Sequence, residues 1–200
     1  MSRLRYVSHP EVEIDAAVPV PRWGLNEAGR GRTGRMLAQP WIRDIGRIIC
    51  SAEQKAVDTA RIVGEHLGIT PEVRPSTHEN ERTGFLPEAE FQATADAFFA
   101  RPTESIAGWE RAIDAQTRIL TALDDVLHDP QPDDVMVVGH GGVGTLLLCA
   151  LAGWEIDRRH DQPGVGHHFC VDLTGWSVVH PWRPIDDLDE APAPVGPADG

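Results

Sequence analysis

The sequence predicts one α/β domain in which helices cover both faces of a mainly parallel β-sheet. Apolar segments of strand length alternate along the chain with segments whose apolar residues recur at helical spacing, which is the pattern of α/β folds. A length of 200 residues suits one domain, and 41% hydrophobic with 24% charged residues is typical of a globular protein. We therefore expect a three-layer α/β/α sandwich whose sheet has an antiparallel edge.

The first part of the chain predicts three strands and two helices. The strands are short apolar runs at residues 3–8, 46–51 and 71–75. Asn26 is a preferred residue for the cap of the helix that follows it. Ser51 is interpreted as the cap of a second helix, which ends at Gly68.

The second part of the chain predicts further helices, one more parallel strand and a hairpin. Residues 76–105 include a short helical segment, and residues 106–128 have the apolar spacing of the longest helix. The run at 133–138 predicts a strand that turns into a buried helix. Residues 167–181 alternate enough to predict two antiparallel strands that turn near Gly175.

Residues beyond Arg183 are rich in proline, alanine and aspartate and have few large apolar side chains. We therefore expect an α/β domain over residues 1–183 and a disordered acidic tail over residues 184–200. Such a tail adds nothing to a hydrophobic core, so its removal should leave folding intact.

Charge and composition argue against several classes of partner. A net charge of −13 repels nucleic acid. No apolar segment reaches the roughly 20 residues of a membrane span, and the first residues lack the apolar core of a signal peptide. The cysteines are scattered without the spacing of a zinc site. We expect a cytoplasmic protein with no nucleic-acid or membrane partner and no metal, and the oligomeric state stays open.

Reactive side chains follow three of the predicted strands where those strands end. His9 follows the first strand, Ser51 to Lys55 follow the second, and His140 follows a later one. The carboxyl ends of parallel strands are where ligands bind in α/β folds. A neutral imidazole can attack phosphorus, while a protonated imidazole, a lysine and the backbone N–H groups after Gly141 can stabilise phosphoryl oxygens. This set of residues therefore suits a phosphate site.

Four motifs, in order along the chain, carry a resemblance to a known family. They read Ser8-His9-Pro10, SAEQKAVDTA from Ser51, THENER with Glu79, and VMVVGHGGV with His140. The ordered set, which spans residues 4–152 with its flanking elements, resembles the histidine phosphatase superfamily and implies a phosphoglycerate mutase-like fold. Members of that family carry Arg-His-Gly at the first motif and an arginine at the position of Lys55.

The resemblance implies a role for each matching residue. His9 would be the nucleophile that forms a phosphohistidine, and His140 would neutralise the phosphoryl oxygens. Glu79 would protonate the leaving alcohol and then deprotonate the attacking water. Lys55 takes the place of a phosphate-binding arginine. The resemblance implies no metal and no organic cofactor.

Two residues of the first motif depart from the family pattern. Ser8 stands where the family has an arginine that forks onto the phosphate, and Pro10 removes a backbone N–H beside the nucleophile. Serine cannot supply a planar charged donor, so either the phosphate site is weaker or another cation fills the place, and we favour the second alternative. The candidates are Arg82, three residues after Glu79, and Arg22, in the loop before the first helix. Either arginine could instead be a solvated surface residue.

These residues predict a phosphomonoester hydrolase that acts on a small phosphorylated metabolite, and three alternatives stay open. A protein of the same fold could bind a phosphorylated ligand without hydrolysing it. A phosphomutase must keep water from the phosphoenzyme, and the segment 76–105 is short for such a lid. Gly139, Gly141 and Gly144 also match a dinucleotide-binding fingerprint, although no clear second strand ends in an acidic residue at the required distance.

Overall fold

Six strands form a single sheet in the computed structural model, which describes residues 2–82, 86–129 and 132–188. The strands are β1 (Arg3–Ser8), β2 (Ile45–Cys50), β3 (Glu72–Val73), β4 (Asp134–Gly139), β5 (His167–Asp172) and β6 (Ser177–Pro184). Their order across the sheet is β3-β2-β4-β1-β5-β6. The first four strands are parallel, and β5 and β6 add an antiparallel edge. Both features confirm the predicted sheet.

Helices lie on both faces of this sheet. They are α1 (Glu27–Met36), α2 (Gln54–Leu67), α3 (Glu88–Ala100), α4 (Ala112–Ala122), α5 (Asp124–His128) and α6 (Gly141–Ala152). α1 and α2 pack on one face and α4, α5 and α6 on the other, while α3 packs on α4 and α6. In the described part of the chain, no helix has the length and apolar character needed to cross a membrane. The arrangement confirms the three-layer sandwich.

Side chains alternate along β4 between the two halves of the core. Val135 and Val137 point to the layer of α4, α5 and α6, whereas Met136 and Val138 point to α1 and α2. All four side chains are buried, as expected for a central parallel strand that is covered on both faces. The strand ends at Gly139, so the next residue emerges at the carboxyl edge of the sheet.

Local signals set the ends of α1 and α2, with one exception. Asn26 caps α1 as predicted and accepts a 2.9 Å hydrogen bond from a backbone N–H of the first turn. α2 ends at Gly68, whose φ of 72° is left-handed. The prediction that Ser51 caps α2 is wrong, because the helix begins later and its cap position is Glu53. The Ser51 hydroxyl instead accepts the Glu53 N–H at 3.1 Å.

The helix predicted over residues 106–128 is interrupted. α4 begins only at Ala112, because Ala107 and Gly108 have positive φ angles of 51° and 77° that a right-handed helix does not accommodate. A second break lies at Leu123, whose φ of −112° separates α4 from α5. The predicted longest helix is therefore wrong, and α2, with 14 residues, is longer than either piece.

The domain extends past the boundary predicted at residue 183. Ile185 is fully buried against the core under α1 and α2, and Asp186 forms ion pairs of 2.9 Å with Arg32 and Arg35 of α1. The boundary is wrong because one apolar side chain and one carboxylate tie this segment to the domain. The predicted tail from residue 189 onward lies outside the described residues.

Candidate active site

His9 and His140 lie side by side because the strands that precede them are neighbours. β1 and β4 pair in parallel, and Ser8 is directly opposite Gly139. The next residue after each strand is a histidine, so both imidazoles emerge at the carboxyl edge of the sheet. Their ring centroids are 5.3 Å apart, with an angle of 69° between the planes. The structure thus brings together the two histidines that the sequence placed in one crevice.

The half-buried His9 ring is held in one orientation. Its Nδ1 donates to the carbonyl of Pro10 at 2.9 Å, which leaves the lone pair of the neutral ring on Nε2. Burial and the neighbouring His140 lower the pKa of His9 to about 3, so the ring is neutral at pH 7. The backbone is held as well, since the His9 N–H donates to Gly139 at 3.0 Å and its carbonyl accepts from Gly166 at 3.1 Å. Pro10 therefore orients His9 through its carbonyl although it lacks an N–H.

The fully buried His140 contacts two side chains of the segment after β2. Its Nε2 lies 2.8 Å from Ser51 Oγ and 3.4 Å from Glu53 Oε1. Burial lowers the pKa of His140 to about 4, although Glu53 and Glu79 oppose this shift. The Tyr6 hydroxyl binds both the N–H and the carbonyl of His140, at 2.9 and 3.0 Å. His140 is therefore a neutral ring at pH 7 whose backbone and Nε2 are both held.

Lys55 faces Glu53, a carboxylate that the sequence motifs did not predict as part of the site. Its Nζ lies 2.5 Å from Glu53 Oε2 and 3.0 Å from the Val20 carbonyl. Burial raises the pKa of Glu53, but His140 and Lys55 outweigh burial and lower that pKa to about 2. Glu53 is thus ionised at neutral pH and neutralises the lysine. The cation predicted to bind phosphate is already part of an internal ion pair.

The Glu79 carboxylate caps the first turn of α6. It accepts hydrogen bonds of 2.9 to 3.2 Å from three backbone N–H groups, those of Asn80, Gly142 and Val143. Burial would raise the pKa of Glu79, but Arg82, His140 and the backbone donors lower it below its ordinary value. The donors that were expected to bind an anion after Gly141 are therefore engaged by this carboxylate.

Of the two arginines considered as replacements for the missing one, Arg82 lies at the site. Its Nη2 is 3.4 Å from Glu79 Oε2. The guanidinium also lies over the rings of Phe91 and Trp109, 5.1 and 5.2 Å from their centroids. Arg22 is an exposed residue at the end of a 3-10 turn. Arg82 is therefore the one that acts on the Glu79 carboxylate.

Ser8 is fully buried and belongs to a network with the loop before β5. Its hydroxyl lies 2.5 Å from Gln162 Oε1 and accepts the His167 N–H at 3.0 Å. The Gln162 amide also packs on Gly141, where an added Cβ atom would lie 2.3 Å from Nε2. Gln162 has no signal in the sequence, because it lies in an irregular loop, 154 residues from Ser8, and outside all four motifs.

The glycines that match a dinucleotide-binding fingerprint have a packing role. An added Cβ atom would lie 2.2 Å from the Tyr6 side chain at Gly139 and 2.4 Å from it at Gly144. Gly141 is restricted in the same way by the Gln162 amide. Close packing around Tyr6 and Gln162 therefore explains this spacing without a nucleotide.

The charged groups around the two histidines form two pairs. Lys55 pairs with Glu53, and Arg82 pairs with Glu79. The imidazoles add no charge at pH 7, because burial holds the pKa of each well below its ordinary value. Within this set of residues the charges balance.

The family model of the histidine phosphatase superfamily (branch 1) matches residues 20–181 of the chain. The match covers most of the chain, so the protein belongs to this superfamily. This membership confirms the resemblance inferred from the motifs, although the motif Ser8-His9-Pro10 precedes the matched segment. A search of curated proteins found no match.

Solved structures share the fold at low sequence identity. Mycobacterial glucosyl-3-phosphoglycerate phosphatase with inorganic phosphate has a TM-score of 0.70 and 22% identity, over 90% of this chain and 94% of its own. YhfR from Bacillus stearothermophilus has a TM-score of 0.72 and 21% identity, over 90% and 95%. Phosphoserine phosphatase from Entamoeba histolytica in complex with 3-phosphoglyceric acid has a TM-score of 0.72 and 14% identity, over 92% and 98%. These likenesses establish the fold.

Proposed function

We propose that this chain is a phosphomonoester hydrolase that transfers the phosphoryl group of a small phosphorylated metabolite to His9 and then to water. The observation that carries the proposal is the orientation of His9, whose Nδ1 donates to the Pro10 carbonyl at 2.9 Å and leaves the lone pair on Nε2. A lowered pKa keeps this ring neutral and nucleophilic. Membership of the superfamily and the phosphatases among the structural neighbours support the same class of reaction.

The reaction takes place in two steps. In the first, His9 Nε2 forms a bond to phosphorus, the ester P–O bond breaks, and the leaving oxygen takes a proton from Glu79. In the second, water attacks phosphorus and gives a proton to Glu79 while the N–P bond breaks. The products are the alcohol and inorganic phosphate, and both side chains return to their starting forms.

Glu79 must hold a proton in the first step, and the substrate favours that state. Arg82, His140 and the backbone donors of Val143 and Asn80 lower the pKa of Glu79 against the effect of burial. A phosphoryl group placed beside the carboxylate adds negative charge, which raises the pKa. Substrate binding therefore promotes protonation of the residue that acts as the acid.

His140 stabilises the phosphoryl oxygens in this scheme. The negative charge of the substrate raises the pKa of His140, and Glu53, 3.4 Å from Nε2, favours the protonated ring as well. A protonated imidazole supplies a positive charge and a hydrogen-bond donor in a buried site. Lys55 then acts indirectly, because it holds Glu53 in place.

Binding without hydrolysis is the second candidate function, and the internal ion pairs favour it. Lys55 and Arg82 each pair with a glutamate, so a phosphoryl dianion meets a site without net positive charge. A site of this kind stabilises the charge of the transferring group less than one with unpaired arginines.

Phosphate release from a panel of small phosphomonoesters tests the proposal. We expect release by the wild type and a loss of roughly 10⁴-fold or more in His9→Ala, because the nucleophile is removed. His66→Ala changes an exposed histidine in the last turn of α2 and is the matched control. A wild type that binds inorganic phosphate but releases none from any ester would favour the second candidate.

A further inference from the structure

The loop before β5 places one side chain against the chain neighbours of both site histidines. Gln162 Oε1 lies 2.5 Å from the hydroxyl of Ser8, the residue before His9. The other end of the amide, Nε2, packs over Gly141, where an added Cβ atom would lie 2.3 Å from it. Gly141 directly follows His140. The Gln162 amide therefore bridges the carboxyl end of β1 and the first residue of α6.

The hydrogen bonds of Ser8 orient this amide. The Ser8 hydroxyl accepts the His167 N–H at 3.0 Å, so its own proton is directed to an acceptor. Gln162 Oε1, at 2.5 Å, is the near acceptor, and the His167 carbonyl, at 3.2 Å, is the more distant one. With Oε1 engaged in this way, Nε2 and its two N–H donors lie beside Gly141, the first residue of α6.

The backbone of the loop is fastened on both sides. The Asp161 carboxylate accepts hydrogen bonds of 2.8 Å from the Thr145 hydroxyl of α6 and from the Gln162 N–H. The Gly166 N–H donates to the His9 carbonyl at 3.1 Å. A side chain that is supported in this way loses little freedom when it binds a ligand.

We propose that Gln162 binds the phosphoryl group of the substrate through Nε2, and that Ser8 is the positioning residue that orients it. This inference rests on the proposed function. The family motif has an arginine at position 8, and the two arginines predicted as substitutes are otherwise placed. Arg82 pairs with Glu79 and Arg22 is exposed. A neutral amide suits a site whose charges balance, and it selects phosphomonoesters by hydrogen bonding instead of by an unpaired cation.

Affinity for inorganic phosphate, measured on the full chain by isothermal titration calorimetry, tests this inference. Gln162→Met keeps most of the side-chain volume but has no donor, so we expect the Kd to rise roughly 10- to 150-fold. Gln162→Glu places a negative charge at the same point and should raise the Kd further. Ser8→Ala leaves the amide present but not oriented, and should cause a smaller rise. Gln116→Ala, which removes an amide bonded to the Leu146 carbonyl at 2.9 Å, is the control and should leave the Kd unchanged.

An unchanged Kd in Gln162→Met, with a melting temperature near that of the wild type, would overturn the inference. So would a wild type that binds no phosphate at millimolar concentration. Should Gln162→Met fail to fold, an unchanged Kd in Gln162→Glu would overturn it in the same way.

Ester hydrolysis, followed in parallel, separates this inference from the proposed function. A wild type that binds phosphate through Gln162 but releases none from esters would contradict hydrolysis and keep the role of Gln162. If Kd and kcat/KM of Gln162→Met equal those of the wild type, Gln162 does not bind the phosphoryl group, and the proposed hydrolysis is unaffected.

Discussion

Two histidine pairs on this sheet have nearly the same ring geometry. The centroids of His9 and His140 are 5.3 Å apart, and their planes meet at 69°. His168 of β5 and His180 of β6 have centroids 4.8 Å apart and planes at 73°. Burial also lowers the pKa of both His9 and His168 to about 3.

The surroundings of the two pairs differ. His9 and His140 follow the carboxyl ends of parallel strands, where the chain leaves the sheet and where ligands bind in open α/β folds. His168 lies within β5, opposite Val7, and stacks on Trp41 with centroids 5.2 Å apart. Among the described residues, neither ring nitrogen of His168 has a hydrogen-bond partner, whereas His9 Nδ1 is bonded. Position at a strand end and a bonded Nδ1, more than ring proximity or a lowered pKa, therefore mark the candidate nucleophile.

After the loss expected in His9→Ala, the largest effect is expected at Glu79, the carboxylate that interacts with both histidines of the first pair. A general acid contributes roughly 100- to 10,000-fold. In Glu79→Gln, kcat/KM should fall by most of this factor on an alkyl phosphate. It should fall much less on a nitrophenyl phosphate, whose leaving group barely needs a proton. Steady-state kcat/KM on both esters measures the contrast, with the exposed Glu65→Gln as control. Equal losses of kcat/KM on the two esters would show that Glu79 only caps α6 and does not act as the acid.

A smaller effect, on stability, is expected at the second pair. The unfolded chain protonates His168 below about pH 6.5, whereas in the fold its pKa is about 3 because of burial and the nearby His180 and Arg5. Protons therefore bind the unfolded state preferentially in this window. The contribution of His168 to the free energy of unfolding is therefore fully present above about pH 6.5. It decreases as pH falls, by about 2 kcal/mol between pH 7 and pH 5.

Replacement of the ring separates stability from activity at this pair. Between pH 7 and pH 5, the free energy of unfolding of His168→Phe should fall by about 2 kcal/mol less than that of the wild type, because phenylalanine has no group to protonate. Urea unfolding at both pH values measures this difference. Turnover at pH 7 should stay at the wild-type level, and its loss in a folded variant would break the distinction between the two pairs.

The smallest effect is expected at Ser51, which lies 2.8 Å from His140 Nε2. One neutral hydrogen bond contributes roughly 0.5–1.5 kcal/mol, so Ser51→Ala should lower kcat/KM about 2- to 12-fold. Ser177→Ala, on the exposed side of β6, is the matched control. A loss of several orders of magnitude would instead give the Ser51 hydroxyl a direct part in the reaction.

The sequence predicted the fold and the meeting of the two histidines because both follow from backbone periodicity. Parallel strands that end one residue before His9 and His140 bring those residues together whatever their side-chain conformations. The Glu53–Lys55 ion pair depends on side-chain geometry within one turn, which the motif does not specify. The contact between Ser8 and Gln162 depends on the path of an irregular loop, and such a path has no periodic signal.

Trapping of the phosphoenzyme tests the central role of His9 most directly. The wild type is mixed with a nitrophenyl phosphate, quenched in alkali, which preserves phosphohistidine, and digested for mass spectrometry. We predict one added phosphoryl group on the peptide that contains His9, and no label in His9→Ala. A phosphoryl group on another residue, or burst release of nitrophenol that survives His9→Ala, would contradict the assignment of His9 as the nucleophile.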